Sequence, residues 1–325
     1  MCTRIVYHGV EQRYLTARSM DWNDNPDAQL WIFPRGMERS SVQGPDGFTW
    51  TSRFGSVIAS AYGICTTDGM NEAGLTANAL WLAESEYPTP TDTRPHMTLA
   101  IWAQYFLDNF GTVAEAVEEA RKERFIITTL QVPGQDRLAT LHLALSDGTG
   151  DSAILEYLEG KLTIHHSRDY KVMTNSPPFD QQLAINTYWD GIGGTVMLPG
   201  TNRAADRYVR GCFYVDAVPK FADQVNAAAA TFSVIRNTSV PFGISTPGQP
   251  NISSTWWRSV CDHKERRYYF ESVLAPAVLW IDFDTVDFSS DQPSRCLPLG
   301  QRMTWLSGGP ALESFEIAEP FAFAQ

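Results

Sequence analysis

A cysteine directly behind the initiator methionine places two reactive groups on one carbon. Methionine aminopeptidase trims Met1 when the next side chain is small, and Cys2 meets that requirement. The trimmed chain begins with a thiol and a free α-amine. The thiolate is a strong nucleophile, and an α-amine titrates near ~7.7–8.0, where a proton shuttle works well. One residue then serves as nucleophile and general base together. A chain start is otherwise the part of a domain most prone to fray, so Cys2 draws its meaning from what accompanies it.

Other chemistries find little support. The five cysteines (Cys2, Cys65, Cys212, Cys261, Cys296) are odd in number and scattered, with no C-x-x-C pair, so neither a disulfide framework nor a zinc site of the usual spacing is expected. His165 and His166 are adjacent, and strand neighbours face opposite ways, which makes a poor metal pair. The loops G-x-x-x-x-G-K and G-x-G-x-x-G and the G-x-S-x-G elbow are absent, and no cofactor or metal is expected.

Composition sets the class. The chain has 325 residues, 43% hydrophobic and 19% charged, as in a soluble protein with a sizeable core. Its net charge of −12 disfavours nucleic acid and anionic membranes as partners. No apolar run approaches the ~18 residues of a membrane span. Arg4, His8, Glu11, Gln12 and Arg13 arrive too early for a signal peptide, so the sequence as it stands reads as cytoplasmic. A leader trimmed ahead of Cys2 would make it periplasmic.

The elements that must position Cys2 are mostly strands. Thr3–Tyr7, Tyr14–Trp22, Leu30–Phe33, Ser56–Tyr62 and Leu75–Leu82 are β-rich, the last two around a turn at Gly69–Gly74. The pattern then switches to helix. Thr98–Asn109 is apolar nearly all round, and Thr112 with Glu115 forms a T-x-x-E capping box ahead of Val113, Val117 and Ala120. Leu138–Leu145, Ala153–Leu158 and Leu162–His166 make a meander with Asp147-Gly148 and Glu159-Gly160 at its turns. Val172–Asn175 is a further strand. Arg203–Val215 and Asp223–Ile235 read as helices, and Trp256–Cys261, Arg267–Val273 and Val278–Phe283 as strands. Strands at both ends with helices between them exclude a simple βαβ wind. The expected fold class is α+β, a four-layer αββα sandwich of two antiparallel sheets. A single domain over 1–325 is expected, with the Pro-, Ser- and Gly-rich segment 284–325 as a surface wrap.

Cys2-Thr3-Arg4, followed by Thr16-Ala17-Arg18-Ser19-Met20-Asp21-Trp22, resembles the N-terminal signature of the choloylglycine hydrolase family, which contains penicillin V acylases and conjugated bile salt hydrolases. Gly69-Met70-Asn71-Glu72-Ala73-Gly74-Leu75, Thr174-Asn175-Ser176-Pro177, and Leu198-Pro199-Gly200 with Asp206-Arg207-Tyr208 match further motifs in family order. The resemblance implies an N-terminal-nucleophile hydrolase. In it Cys2 is the nucleophile, Arg18 and Asp21 hold its thiol and amine, Asn175 is an oxyanion donor, and Arg207 is the remaining catalytic arginine. The chemistry agrees: a guanidinium favours a nearby thiolate, and a side-chain amide suits a tetrahedral oxyanion.

Where Gram-positive bile salt hydrolases carry asparagine and their penicillin acylase relatives tyrosine, this chain has Trp81. Its backbone N–H is the implied second oxyanion donor. Trp81, Trp22 and the short Asn175-to-Arg207 spacing, as if an assembly loop were missing, resemble the Gram-negative branch, whose penicillin V acylases also cleave N-acyl-homoserine lactones. Two indoles offer flat apolar walls for a phenoxyacetyl group or a fatty acyl chain. The implied partner is a small-molecule N-acyl amide, and the implied assembly is a homo-oligomer, tetrameric by family resemblance.

Every one of these residues also has an ordinary structural use. Arg18 and Asp21 suit a strand-end surface pair, Asn175 a turn, Arg207 an exposed helix face, and Trp22 and Trp81 a core. Arg18 and Asp21 raise a geometric requirement as well. Three apart on a straight strand they face opposite sides, so a bulge or strand end near Ser19–Asp21 is needed for both to reach Cys2. The leading expectation is an amidase for linear C–N bonds, with penicillin V and long-chain N-acyl-homoserine lactones as model substrates. The alternatives are a bile salt hydrolase with the same machinery, and a catalytically inactive protein of the same fold that captures acylated ligands.

Overall fold

The structure, a computed structural model, describes residues 2–89, 93–246, 249–275, 277–299 and 308–325; Met1 lies outside them. In chain order, β1 (Cys2–His8), β2 (Tyr14–Asp21) and β3 (Gln29–Phe33) precede a short hairpin of β4 (Glu38–Ser40) and β5 (Thr49–Thr51). A meander follows, of β6 (Ser56–Ala61), β7 (Cys65–Asn71) and β8 (Thr76–Trp81). Next come β9 (His96–Thr98), α1 (Leu99–Asn109), α2 (Val113–Ala120) and β10 (Ile126–Thr128). The second meander comprises β11 (Leu141–Ser146), β12 (Ser152–Leu158) and β13 (Lys161–His166), and leads to β14 (Val172–Met173). Three helices follow: α3 (Phe179–Ile192), α4 (Ala204–Ala217) and α5 (Gln224–Asn237). The chain closes with β15 (Ser245–Thr246), β16 (Gln249–Ser253), β17 (Thr255–Asp262), β18 (Arg267–Ser272) and β19 (Val278–Asp282), then β20 (Arg295–Pro298), β21 (Gly309–Pro310) and β22 (Glu316–Ile317).

Two large sheets share the core. One runs β14-β1-β2-β17-β18-β19-β21 and the other β13-β12-β11-β8-β7-β6-β3-β20-β22, antiparallel except where β21 joins β19. Helices α4 and α5 pack on β1, β2 and β17 of the first sheet, while α1 and α2 cover β7, β8 and β12 of the second. That is the αββα sandwich. It explains why β1 is buried along six of its seven residues instead of alternating: one face meets the other sheet and the opposite face meets a helix.

The topology brings the chemistry together. β1 lies between β2 and β14, with Cys2 opposite Met20 and with Arg4 and Ile5 opposite Met173 and Val172. The chain leaving β14 therefore delivers Thr174 and Asn175 beside the start of β1.

Several boundaries differ from the sequence reading. Gly69–Asn71 belong to β7, and the turn is confined to Glu72–Gly74. Asn71 closes it: Oδ1 accepts from the amides of Ala73 (3.1 Å) and Leu75 (3.0 Å), while Nδ2 donates to the Leu107 and Phe110 carbonyls that end α1. Helix α3 was hidden because it buries only Phe179 and Gln182, too few for an apolar stripe. The segment 284–325 is more than a surface wrap. β20 enters the larger sheet beside β3, and Cys296, Leu297, Phe315 and Phe323 are buried; residues 300–307 of that segment lie outside the described set. Prolines and serines spacing these apolar residues concealed the strand. The Thr112 cap forms as expected, with its hydroxyl accepting from the Glu115 amide at 3.2 Å. The returning Glu115 carboxylate takes the Gly111 amide (2.9 Å).

Gly69 gives a test of the packing. A Cβ there would sit 2.6 Å from Ile58 Cγ2 and 2.7 Å from the Val57 carbonyl oxygen. Overpacking of this kind costs about 1–3 kcal/mol. Gly69→Ala should lower the urea midpoint accordingly, with an unchanged m-value; an unaltered midpoint would contradict the β6–β7 register.

Candidate active site

The Cys2 thiol faces the space between the sheets and is 3% exposed. Its Sγ lies 3.6 Å from Arg18 Nη2 and 3.7 Å from Met20 Sδ. The same Arg18 nitrogen donates to Met20 Sδ (2.9 Å) and to the Ala79 carbonyl (3.2 Å), and Nη1 donates to Asp68 Oδ2 at 2.6 Å. Asp68 is held in turn by Ser259 (3.1 Å), Trp257 Nε1 (3.4 Å) and the Tyr268 hydroxyl. Burial alone would lower the Arg18 guanidinium, but Cys2 and Asp68 outweigh it and hold it above its ordinary value. A permanent cation therefore sits beside the thiol.

The main-chain nitrogen of Cys2 meets a second constellation. It donates to Asn175 Oδ1 at 2.7 Å, and Arg207 Nη2 donates to the same oxygen at 2.7 Å. Arg207 Nη1 bonds the Cys2 carbonyl (2.7 Å) and the Thr3 hydroxyl, and Nε bonds the Asn202 carbonyl (3.0 Å). Asp21 Oδ2 is 3.6 Å from Arg207 Nη1, and its Oδ1 accepts from the Thr255 hydroxyl at 2.6 Å. The Arg207 and Asp21 side chains are fully buried and are not surface charges.

Arg18 and Asp21 do face opposite sides of the sheet. Arg18 reaches the thiol from the inter-sheet side, and Asp21 joins Arg207 on the helix-covered side. Each serves a different part of Cys2, which sits at a strand start open to both. No bulge in Ser19–Asp21 is needed: β2 pairs with β1 in unbroken register, and the register shift lies in the neighbouring β17, between Thr255 and Trp257, opposite Asp21 and Met20.

Asn175 Nδ2 donates to the Trp81 carbonyl at 2.6 Å, which leaves its second N–H for another acceptor. Just past β8, Leu82 N bonds Thr140 O, so Trp81, one residue before, turns both its N–H and its C=O away from β11. β7 pairs with β8 only from Asp68 to Met70, opposite Asn78 to Thr76. Trp81 therefore presents its main-chain N–H on an edge that β7 has left, the edge that also carries the carbonyl bonded by Asn175.

A cavity open to solvent runs from Cys2 along this edge. Trp22, Trp81, Tyr62, Leu130, Val132 and Leu141 are among its walls. The two indoles sit 5.4 Å apart between centroids, and Trp22 Nε1 donates to the Tyr62 hydroxyl at 2.6 Å. The Arg137 guanidinium lies over both rings, 4.5 Å from Trp81 and 5.2 Å from Trp22. Both tryptophans are buried, and both also line the cavity.

The structure thus assembles Cys2, Arg18, Asp21, Asn175, Arg207, Trp81 and Trp22 in one place. Sequence reasoning missed Asp68, Thr255, Tyr62 and Arg137. Asp68 directly precedes the motif that begins at Gly69, but its role lies in contacts to the opposite sheet, which local spacing does not mark.

The comparisons agree with this geometry. The family model for linear amide C-N hydrolases of the choloylglycine hydrolase family matches residues 2–296. A penicillin V acylase of Pectobacterium atrosepticum is 53% identical over 347 residues, covering 99% of this chain and 92% of the relative. A bile salt hydrolase/transferase of Clostridium perfringens is 24% identical over 323 residues, covering 90% and 95%. The solved structure of penicillin V acylase from Agrobacterium tumefaciens superposes with a TM-score of 0.93 at 56% identity, covering 99% of both chains. A conjugated bile acid hydrolase from Clostridium perfringens, at 20% identity, shares the fold with a TM-score of 0.76 over 100% of this chain and 99% of that one.

Thiol environments give a pH test. Burial pushes Cys65 up to about 11 and Cys212 and Cys296 up to about 12, and raises Cys261 well above its ordinary value. Thiolate is the reactive form, so these four should resist alkylation at pH 8. Iodoacetamide should then add one equivalent, mapped to Cys2. Labelling of Cys65 should appear only as pH climbs toward its raised value, and urea should release all four at pH 8. A second label in the native protein at pH 8 would overturn this order of reactivity.

Proposed function

Because the chain belongs to the choloylglycine hydrolase family and is a linear amide C–N hydrolase of the penicillin V acylase type, with Cys2 as its nucleophile, we propose a division of labour among the residues around Cys2 and a substrate class for its cavity. The observation that carries both is the placement of Cys2 between a cation-flanked thiol pocket and an apolar cavity.

Removal of Met1 frees the α-amine. That amine takes the thiol proton, and the thiolate, kept beside Arg18, attacks the acyl carbonyl. The oxyanion forms between the Trp81 N–H and the unused N–H of Asn175 Nδ2. Asn175 Oδ1, supported by Arg207, holds the amine nitrogen in place, and Asp21 orients Arg207. As the C–N bond breaks, the ammonium returns its proton to the leaving amine. Water then cleaves the thioester, its proton passing through the same α-amine, and the thiol is restored.

The substrate is an N-acyl amide with an apolar acyl part. The phenoxyacetyl group of penicillin V and the acyl chain of a long-chain N-acyl-homoserine lactone are apolar groups of the kind this apolar, aromatic lining would receive. The indole pair and the Arg137 layer over it favour a flat or linear group over a steroid.

Hydrolysis of penicillin V, followed as released primary amine, tests the assignment. Cys2→Ala should abolish it. Asn175→Ala should lower kcat by about 10²–10³ with KM little changed, because the donor acts on charge present only in the transition state. A mutant raised in KM alone would place Asn175 in substrate binding.

Trp81→Ala keeps the backbone N–H and removes the wall. Losing a packed aromatic contact is worth on the order of 2 kcal/mol, or roughly thirtyfold in kcat/KM. The loss should be large for phenoxyacetyl and long acyl substrates and small for short ones, which never reach the ring. Equal losses at every chain length, with a lowered Tm, would make Trp81 a packing residue and remove the specificity argument.

A further inference from the structure

A buried histidine–glutamate pair that the chemistry above leaves unused lies behind the two proposed oxyanion donors. His142 on β11 and Glu156 on β12 are fully buried, with His142 Nδ1 2.9 Å from Glu156 Oε1. His142 Nε2 is 2.9 Å from the Thr174 carbonyl oxygen. Both neighbours are acceptors, which calls for a proton on each ring nitrogen or for a protonated carboxyl. Burial would raise the Glu156 carboxyl, yet hydrogen bonds from His142 and His165 bring it down to about 2.

Its location bears on both donors. His142 is the cross-strand partner of Leu80, the residue before Trp81, and it bonds the carbonyl of the residue before Asn175. Glu156 Oε2 accepts from the Phe179 amide at 3.1 Å, at the first residue of α3. The connection that carries Asn175 is thus fixed at both ends to β11 and β12, in the same sheet as Trp81. From its other side, Gln182 of α3 bonds the Asn175 (2.5 Å) and Pro177 (2.7 Å) carbonyls, which keeps the connection folded on itself. Outward, His165 Nε2 stands 3.4 Å from Glu156 Oε2 and 3.8 Å from Asp180 Oδ1.

We propose that His142 and Glu156 are positioning residues that set the separation of the Asn175 amide and the Trp81 N–H, and so tune oxyanion stabilisation without touching substrate. This rests on the assignment of those two donors. Donors act at 2.7–3.1 Å from the developing oxyanion, so small displacements are felt in the chemical step. The His142 contact to the Thr174 carbonyl is fully buried, so removing the ring leaves that carbonyl without this donor and loosens the connection that carries Asn175.

The experiment compares His142→Gln and Glu156→Gln with wild type in the full chain. It measures penicillin V hydrolysis, the rate of Cys2 alkylation by iodoacetamide, and Tm. Alkylation displaces iodide at a saturated carbon and develops no oxyanion, so it reports on the thiol alone. The expected result is a kcat lowered about 10- to 100-fold, with KM and the alkylation rate within about twofold of wild type. His142→Leu, which lacks any donor for Thr174, should lose more than His142→Gln. An unchanged kcat overturns the proposal. So does a parallel loss of kcat and alkylation, or failure of both glutamine variants to fold, since either makes the pair a support of the fold. Failure of the underlying assignment reads differently: Asn175→Ala would then keep its kcat in the same assay, whatever the His142 variants do.

Discussion

The bond from Arg18 to Asp68 joins the two sheets at the point where the thiol must be activated, and both side chains are 1% exposed. Two charges so deeply buried are tolerable only when each is nearly saturated with partners, because the desolvation cost rivals their attraction. Asp68 meets that demand with Ser259, Tyr268 and Trp257, all from the sheet opposite its own. Arg18 meets it with Met20, the Ala79 carbonyl and the Cys2 thiol. Removing either partner strands the other charge, at about 3–5 kcal/mol. The spacing of the sheets, the place of the guanidinium and the polarity around the thiol are therefore one constraint.

That constraint extends to the cavity. β6 and β7 shift register between Ala59 and Ser60, and Thr67 Oγ1 bonds the Ala59 carbonyl at 2.9 Å where the shift occurs. Beyond Asp68, β7 no longer pairs with β8. The main-chain groups freed on β8 are used at once, Ala79 O by Arg18 and Trp81 O by Asn175. One departure of a strand from its neighbour thus opens the cavity, gives Arg18 an acceptor and bares an amide beside the nucleophile. A straight β7 would satisfy the ladder and leave no site.

What the sequence disclosed follows the same physics. Glu159-Gly160 is visible because both residues need positive φ, at 51° and 73°, and the capping pair Thr112/Glu115 because its spacing is local. Cys2, Arg18, Asn175 and Arg207 were found through the order of short motifs, each unremarkable alone. Asp68, Thr255 and the His142–Glu156 pair escaped, because they act through contacts between distant segments, which no periodicity encodes. Helix α3 escaped for the converse reason: most of its length is not buried, so it carries little hydrophobic pattern. Arg18 and Asp21 face opposite sides of β2, and both serve Cys2 because the start of β1 is approached from both faces of the sheet.

Trp22 and Trp81 were read either as core or as pocket wall, and the backbone beneath them shows why the choice is a false one. They are 9% and 7% exposed, as core residues are, yet both border the cavity. Trp22 is fixed by the Tyr62 hydroxyl, and Tyr62 occupies a left-handed φ of 55° followed by Gly63 at 62°, with Ile64 N bonding Ala61 O at 3.1 Å. This is a hairpin turn whose first central position favours asparagine, aspartate or glycine, and a bulky residue there costs of order 1–3 kcal/mol. A tight connection from β6 to β7 does not require an aromatic ring, and asparagine would make it with less strain. The tyrosine has a use in the bond it gives the Trp22 indole, which together with Trp81 and Arg137 forms a layered wall. The strained turn and the Trp22 indole it holds thus belong to the same β6–β7 segment that opens the cavity.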